Sequence, residues 1–530
     1  MAGNDTLDGG DADPASLDVA FYWSSPSGVI VNLSGSTVLG VAPGTASDGF
    51  GGTDTLVNIN GAFDSVFNDT LIGGSGNDWL WGGAGIDSII GGAGSDTISY
   101  DTEGSGAVII NLATGVFQDG FGNTDIVSGV ENVVGSSFND SITGNSGNNR
   151  LVGDAGNDTI DGGGGIDTIA YDNSGAVTIN LATGVFQDGF GGTDVVSNVE
   201  NVVGWVNNDN LTGDTNANRI EGGAGNDTLA GGTSTDNAAD TLVGGDGDDL
   251  LRQTRGADVL NGGSGFDRIV FGQTGITYGG ATGVTVNLAA GTSDGDNSSA
   301  GAVATVISIE TVTGTAGNDV FPGGDPLHGL DSLGNSISET FQPRGGDDTI
   351  TGVSGNGLTT IVDYGSNTNV QPVTVNLGTG TASDGQGGTD TLINLDQARG
   401  GAGADMLLGG SLSRSANGAF FESFRGNAGN DTIDGSGDGT APGTATTDRA
   451  SYSNSPSAVI VNIGVAPVIV GADTVLGGIA RDGFGGTDML NHRKSGRALE
   501  SDFDLHGAGD STTNIRWACG WSTGDWSGKC

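Results

Sequence analysis

The sequence predicts an all-β chain folded as a parallel β-roll, a β-solenoid repeat array. Three observations carry this reading. Glycine, glycine, glycine and aspartate recur at the same four positions of a nine-residue unit. One apolar residue follows each of these aspartates by two positions. No stretch sustains the apolar period of about 3.6 residues that marks an amphipathic helix.

The clearest run is residues 73–99, which read GGSGNDWLW, GGAGIDSII and GGAGSDTIS. The six residues G-G-x-G-x-D are too rich in glycine for a helix or a strand. Glycine admits positive φ and close backbone approach, so these six predict a tight turn. The next three predict a short strand whose central residue, Leu80, Ile89 or Ile98, points inward, because side chains alternate across a strand. Two units, eighteen residues, close one coil. Residues i and i+18 then stack on one edge, and i and i+9 lie on opposite edges. Asp78 and Asp96 share one edge, and Asp69 and Asp87 share the other.

The unit returns further along. Residues 135–170 hold four copies, which pair Asp140 with Asp158 and Asn149 with Asp167. Asn149 carries no charge, so its site is expected to be the weaker. Residues 222–230 and 244–270 supply Asp227, Asp249, Asp258 and Asp267, with Asp240 in register before them. The longer gap between Asp227 and Asp240 predicts a loop bulging at TSTDNAA. Sparser copies carry Asp319, Asp405 and Asp431.

A second, longer repeat alternates with the first. AVIINLATGVFQDGFGNTDIVSGVENVVGS (107–136) returns as AVTINLATGVFQDGFGGTDVVSNVENVVGW (176–205), with shorter echoes elsewhere. An asparagine followed by an apolar residue recurs at 32, 111, 180, 287, 376 and 462. In AVIINL, Val108, Ile110 and Leu112 alternate as a strand does. TDIVSGVENVV offers two more short strands. The simplest expectation is a continuation of the same solenoid with longer coils, each burying its apolar row against its neighbours. The organisation expected is a run of repeat blocks at 1–101, 102–171 and 172–271, degenerate blocks at 272–364 and 365–452, a partial repeat at 453–490 and an atypical tail at 491–530. DGFGGTD (48–54, 188–194 and 482–488; DGFGNTD at 119–125) reads as a glycine-rich loop between strands, with a further cation site as the alternative. Tyr100 and Tyr171, each closing a nonapeptide block, read as caps packed on the last coil.

Composition narrows the function. Of 530 residues, 104 are glycine, against a usual share of about 7%. The formal net charge is −48, and only 8 of the 64 acidic residues are glutamate. Aspartate suits turns, where its short carboxylate reaches nearby backbone. A chain this acidic repels nucleic acid and anionic membranes. It also repels itself, so folding calls for a hard divalent cation. No run of about twenty apolar residues predicts a membrane span. The opening MAGNDTLDGGDADP has neither the basic nor the apolar part of a signal peptide and reads as the middle of a repeat. The two cysteines, Cys519 and Cys530, both lie in the last dozen residues, so disulfides do not hold the rest.

The nonapeptides G-G-x-G-x-D-x-U-x resemble those of the RTX, or hemolysin-type, calcium-binding repeat family. The spacing suits that metal. Calcium takes six to eight oxygen ligands in flexible geometry, which carboxylates and turn carbonyls supply. Magnesium demands a tighter octahedron, and zinc wants the His or Cys that are scarce here. The expected ligands are Asp69, Asp78, Asp87, Asp96, Asp140, Asp158, Asp167, Asp227, Asp240, Asp249, Asp258 and Asp267. Turn backbone around Gly74, Gly76, Gly83, Gly85, Gly92 and Gly94 completes the set. The resemblance implies several Ca²⁺ ions, type I export and a secreted chain that folds in the calcium-rich exterior.

Catalytic motifs are absent from the sequence: no H-E-x-x-H, no G-x-S-x-G and no phosphate loop. His328 reads as a loop residue. The reading is a non-enzymatic extracellular calcium-binding protein, structural or adhesive, with contact to a cell surface or polysaccharide. The alternatives are the repeat region of a secreted protease, lipase or alginate epimerase whose catalytic domain lies elsewhere, and a solenoid that itself acts on polysaccharide. The tail from Asn491 concentrates the lysines, the cysteines and three tryptophans. It reads either as a divergent terminal cap or as the product of a shifted reading frame.

Overall fold

A computed structural model describes residues 3–10, 16–101, 106–172, 175–232, 238–254, 256–271, 282–294, 303–324, 338–353, 359–365, 371–410, 422–434 and 448–451, with short strands beyond as far as Trp517. His328, most of TSTDNAA and both cysteines lie outside the described residues. The chain forms two compact units, Met1–Asp249 and Leu250–Cys530. Among the described residues every regular element is a strand, apart from one 3-10 turn at Leu288–Ala290.

In the first unit each nonapeptide gives a three-residue strand, and strands eighteen residues apart pair in parallel. Leu80 stands beside Ile98, Leu71 beside Ile89, Ile142 beside Ile160 and Leu151 beside Ile169. These residues form the inner rows of two facing sheets, and all eight are at most 1% exposed. One sheet runs through Trp79–Trp81, Thr97–Ser99, Asn132–Val134, Arg150–Val152, Thr168–Ala170 and Asn201–Val203. The turns between the sheets are the G-G-x-G-x-D segments. The stacking expected from the repeat length is therefore the stacking observed.

The long repeats differ from the expected simple coils. Ile109–Asn111 and Thr124–Ser128 each join the parallel sheet, the first beside Ser141–Thr143 and the second beside Ser88–Ile90. Between them runs Val116–Gln118, antiparallel to both. The reversal has a local cause. The Asn111 side chain accepts the Thr114 N–H (2.9 Å), and Gly115 takes φ 68°, a left-handed turn that glycine adopts without strain. The same three-stranded meander recurs at Thr178–Asn180, Val185–Gln187 and Thr193–Ser197.

The second unit repeats this plan. Arg268–Val270, Thr311–Thr313, Ser338–Gln342, Thr359–Asp363, Gln397–Arg399 and Ser423–Arg425 form one parallel run. Its other sheet carries a meander at Thr374–Asn376, Thr381–Ser383 and Thr389–Ile393.

Candidate metal centre

Position six of each nonapeptide lies where the turn enters its strand, so its carboxylate tucks under the rung before it. Along each edge this builds a column in which one aspartate receives the backbone N–H of the aspartate above. The Asp69 N–H donates to Asp87 Oδ1 (2.7 Å), and the Asp78 N–H to Asp96 Oδ1 (2.8 Å). The same bond joins Asp140 to Asp158 (2.8 Å) and Asn149 to Asp167 (2.8 Å). Across the longer gap it joins Asp227 to Asp249 (2.8 Å) and Asn218 to Asp240 (2.9 Å). The extra residues leave the stacking intact. Asp258 and Asp267 are also buried, and the Asp267 N–H donates to Glu310 Oε2 (2.7 Å).

The columns have a beginning, a middle and an end, and the three differ chemically. The first aspartate is hydrogen-bonded to protein through both oxygens. Asp69, Asp140, Asp319 and Asp405 each accept the N–H of a preceding strand, from Val29, Val108, Val284 and Val373. The other oxygen of each accepts the N–H four residues earlier, from Ser65, Ser136, Thr315 and Gly401. Asp78 is held likewise by the Gly74 N–H (2.5 Å).

The middle aspartate is not satisfied. Oδ2 of Asp87, Asp96, Asp158, Asp167, Asp227 and Asp348 is buried with no hydrogen-bond partner. Buried polar atoms are normally bonded, and a buried carboxylate oxygen left bare is costly. Six such atoms at one position of one repeat are a built feature.

Several columns are sealed at their ends. Asp125, Asp194 and Asp390, from the long repeats, accept the N–H of Asp87, Asp158 and Asp348. Their second oxygens accept the hydroxyls of Tyr100 (3.0 Å), Tyr171 (2.9 Å) and Tyr364 (2.5 Å). These tyrosines are buried, so they cap the coils as expected and also close the carboxylate columns. On the other edge Glu131 and Glu200 close the columns, accepting the N–H of Asp96 and Asp167. The first aspartate of DGFGGTD folds back on its own loop: Asp188 Oδ1 accepts the N–H of Phe190, Gly191 and Gly192. One motif thus holds a loop aspartate and a column aspartate. Sequence reasoning held Asp125 and Asp194 only as an alternative cation site and missed Asp348, Asp390, Glu131 and Glu200. Recurring DGFGGTD-like and VEN words were the signal for all of these but Asp348.

Asn149 explains how the chain does without a charge. Its Oδ1 accepts the Asn145 N–H, and its Nδ2 donates to the Glu131 carbonyl (2.8 Å for both). Asn218 repeats both bonds with Asp214 and Glu200.

The glycines make room around the bare oxygens. A Cβ on Gly91 would stand 2.7 Å from Asp96 Oδ2 and would also collide with the Gly129 carbonyl oxygen. One on Gly162 would stand 2.7 Å from Asp167 Oδ2 and collide with the Asn198 carbonyl oxygen. Gly92 and Gly94, at φ 117° and 140°, stack on the carbonyls of Gly74 and Gly76, and Gly85 on that of Phe67. The Gly83 N–H donates to Asp64 Oδ2 (2.8 Å). Gly76 itself has open space where a Cβ would go. Bare carboxylate oxygen beside crowded carbonyl oxygen is an all-oxygen donor set, which fits a hard dication.

The electrostatics agree. Burial, with neighbouring aspartates adding to it, pushes the carboxyls of Asp87 and Asp158 up to about 8, Asp227 up to about 7 and Asp348 up to about 9. These values exceed the 3.8 of a free aspartate, so without metal the folded state binds more protons than the unfolded state. Stability from these groups is then present below the unfolded value and lost as pH rises through the folded ones. In a chelator, lowering the pH from about 8 to about 5 is expected to increase β-structure by circular dichroism. A decrease or no change contradicts this assignment.

The chain matches the RTX calcium-binding nonapeptide repeat family over residues 1–13, 65–98, 134–169, 207–237, 234–269, 396–411 and 418–438. No curated protein matches it. The matched stretches make up a minority of the chain, and they contain Asp87, Asp96, Asp158, Asp167 and Asp227. The matched stretches are RTX calcium-binding nonapeptide repeats, which bind calcium at several sites.

Proposed function

We propose that the chain works outside the cell as a calcium-binding protein whose β-roll forms when calcium arrives, with a structural or adhesive role and no catalysis of its own. The observation that carries this reading is the row of bare, buried Oδ2 atoms at one repeat position. Asp87, Asp96, Asp158, Asp167 and Asp227 would hold the ions directly, with Asp348 as a sixth ligand outside the matched repeats. Asp69, Asp78, Asp140, Asp240 and Asp249 extend the columns of the first unit, and Asp258 and Asp267 lie at the same repeat position in the second. The backbone around Gly74, Gly76, Gly83, Gly85, Gly92 and Gly94 supplies the remaining oxygens.

When bound, calcium supplies positive charge to carboxylates that otherwise repel or take up protons. The residues do the rest. Each column aspartate fixes one rung to the next through Oδ1, and the glycines keep the turns thin enough to stack. The expected blocks 1–101, 102–171, 172–271 and 272–364 each close near a buried aromatic: Tyr100, Tyr171, Phe271 and Tyr364. This supports reading them as modules. An exterior setting fits the repeat family, and extracellular calcium modules work at about 10⁻⁴–10⁻³ M.

Equilibrium dialysis of the full chain against calcium tests the reading. Several ions per chain are expected, half-saturated near that concentration. Binding of no more than one ion at millimolar calcium overturns it.

A further inference from the structure

The nonapeptide at residues 64–72 carries an acid at its first position, where most of the others carry glycine. Residues 64–72 read DSVFNDTLI, and the corresponding residues 135–143 read GSSFNDSIT. Ser65 and Ser136 do the same work: each N–H and each hydroxyl donates to the aspartate four residues on. The difference is Asp64 in place of Gly135. Position one faces the carboxylate of position six, since a Cβ on Gly135 would stand 2.6 Å from Asp140 Oδ2. Asp64 therefore brings a second acid against the first. The family match begins at residue 65, one residue after Asp64.

One carboxylate oxygen from each of Asp64, Asp69 and Asp87 lies within 4.8 Å of the others. All three residues are buried, at 1%, 3% and 2% exposure. The Gly83 N–H fixes Asp64 in place (2.8 Å). The independent sign of a ligand is Asp87 Oδ2, which is buried and has no hydrogen-bond partner. Three like charges this close in a buried turn repel strongly, and a cation among them removes the repulsion. Calcium affinity rises with the number of charged ligands.

We propose that Asp64, Asp69 and Asp87 form a three-carboxylate site that binds calcium more tightly than the chain's other turns. The site fills first and is the point from which the neighbouring rungs order. The proposal rests on the calcium reading above.

Calcium titration of the full chain by isothermal calorimetry, with Asp64→Asn and Asp64→Gly beside the wild type, tests it. Asp64→Gly copies the residue that the corresponding turn carries at 135, so the turn has a precedent for folding without the acid. In the wild type one ion is expected to bind at least about tenfold more tightly than the rest. Both variants are expected to lose that tight phase and keep the weaker ions. A tight phase that survives both substitutions, or a wild type whose ions all bind alike, overturns this proposal and leaves the general calcium reading standing. A wild type that binds no calcium overturns both.

Discussion

Removing calcium from the folded chain is expected to abolish its β-type circular dichroism, and restoring calcium is expected to bring it back. The cause lies in the charge. The chain carries a net charge of −48 and buries aspartates in columns along its turns. Without a counter-charge each bare Oδ2 either repels its neighbours or takes up a proton. A ligand that binds only the folded form stabilises it by RT ln(1 + [L]/Kd), about 1.4 kcal/mol per site at tenfold excess. Six such sites sum to about 8 kcal/mol, within the whole stability of a typical domain, about 5–15 kcal/mol. Losing them together is enough to unfold the array. A spectrum unchanged in excess EDTA at neutral pH contradicts the folding switch.

Replacing Gly91 by alanine is expected to be nearly as damaging locally. The new Cβ meets the Gly129 carbonyl oxygen and stands 2.7 Å from Asp96 Oδ2. Backbone cannot yield there without parting two rungs, so the cost is about 3 kcal/mol, the upper end for overpacking. The methyl group also occupies the space beside the bare oxygen, so one ion is lost as well. Gly76→Ala is the matched control. It lies in the same kind of turn but meets nothing within 4 Å, and its effect is expected to stay within about 0.5 kcal/mol. Thermal denaturation in saturating calcium, with ion counting, checks both. Equal effects from the two substitutions contradict the stacked-turn geometry.

Much of the fold was legible in the sequence because the coil has a fixed length. An eighteen-residue rung puts Asp78 above Asp96 and Leu80 beside Ile98 whatever else the chain does. Burial of the apolar residue and phase of the aspartate follow from the same period. What escaped was whatever the period does not govern. Asp87 stacks on Asp125, 38 residues on, because the first two strands of the meander, Ile109–Asn111 and Val116–Gln118, come between them. Asp319 stacks on Asp348 across 29 residues, some of them outside the described residues. Stacking depends on contact in space, so an insertion that returns the chain to its edge hides the pair from any fixed spacing. The antiparallel strand Val116–Gln118 was missed for a related reason. Its apolar pattern suits either direction, and only the Asn111–Gly115 turn reverses it. Asp64 stood in plain view, but a lone acid at a glycine position carries no signal until its neighbours are placed.

The central claim is that cations bridge carboxylates on successive rungs. Crystals grown in calcium, with anomalous difference maps, test it most directly. The account predicts peaks within about 2.3–2.6 Å of the bare Oδ2 atoms of Asp96 and Asp167, repeated along each column. Well-ordered aspartates with no peak beside those oxygens, in crystals saturated with calcium, contradict it.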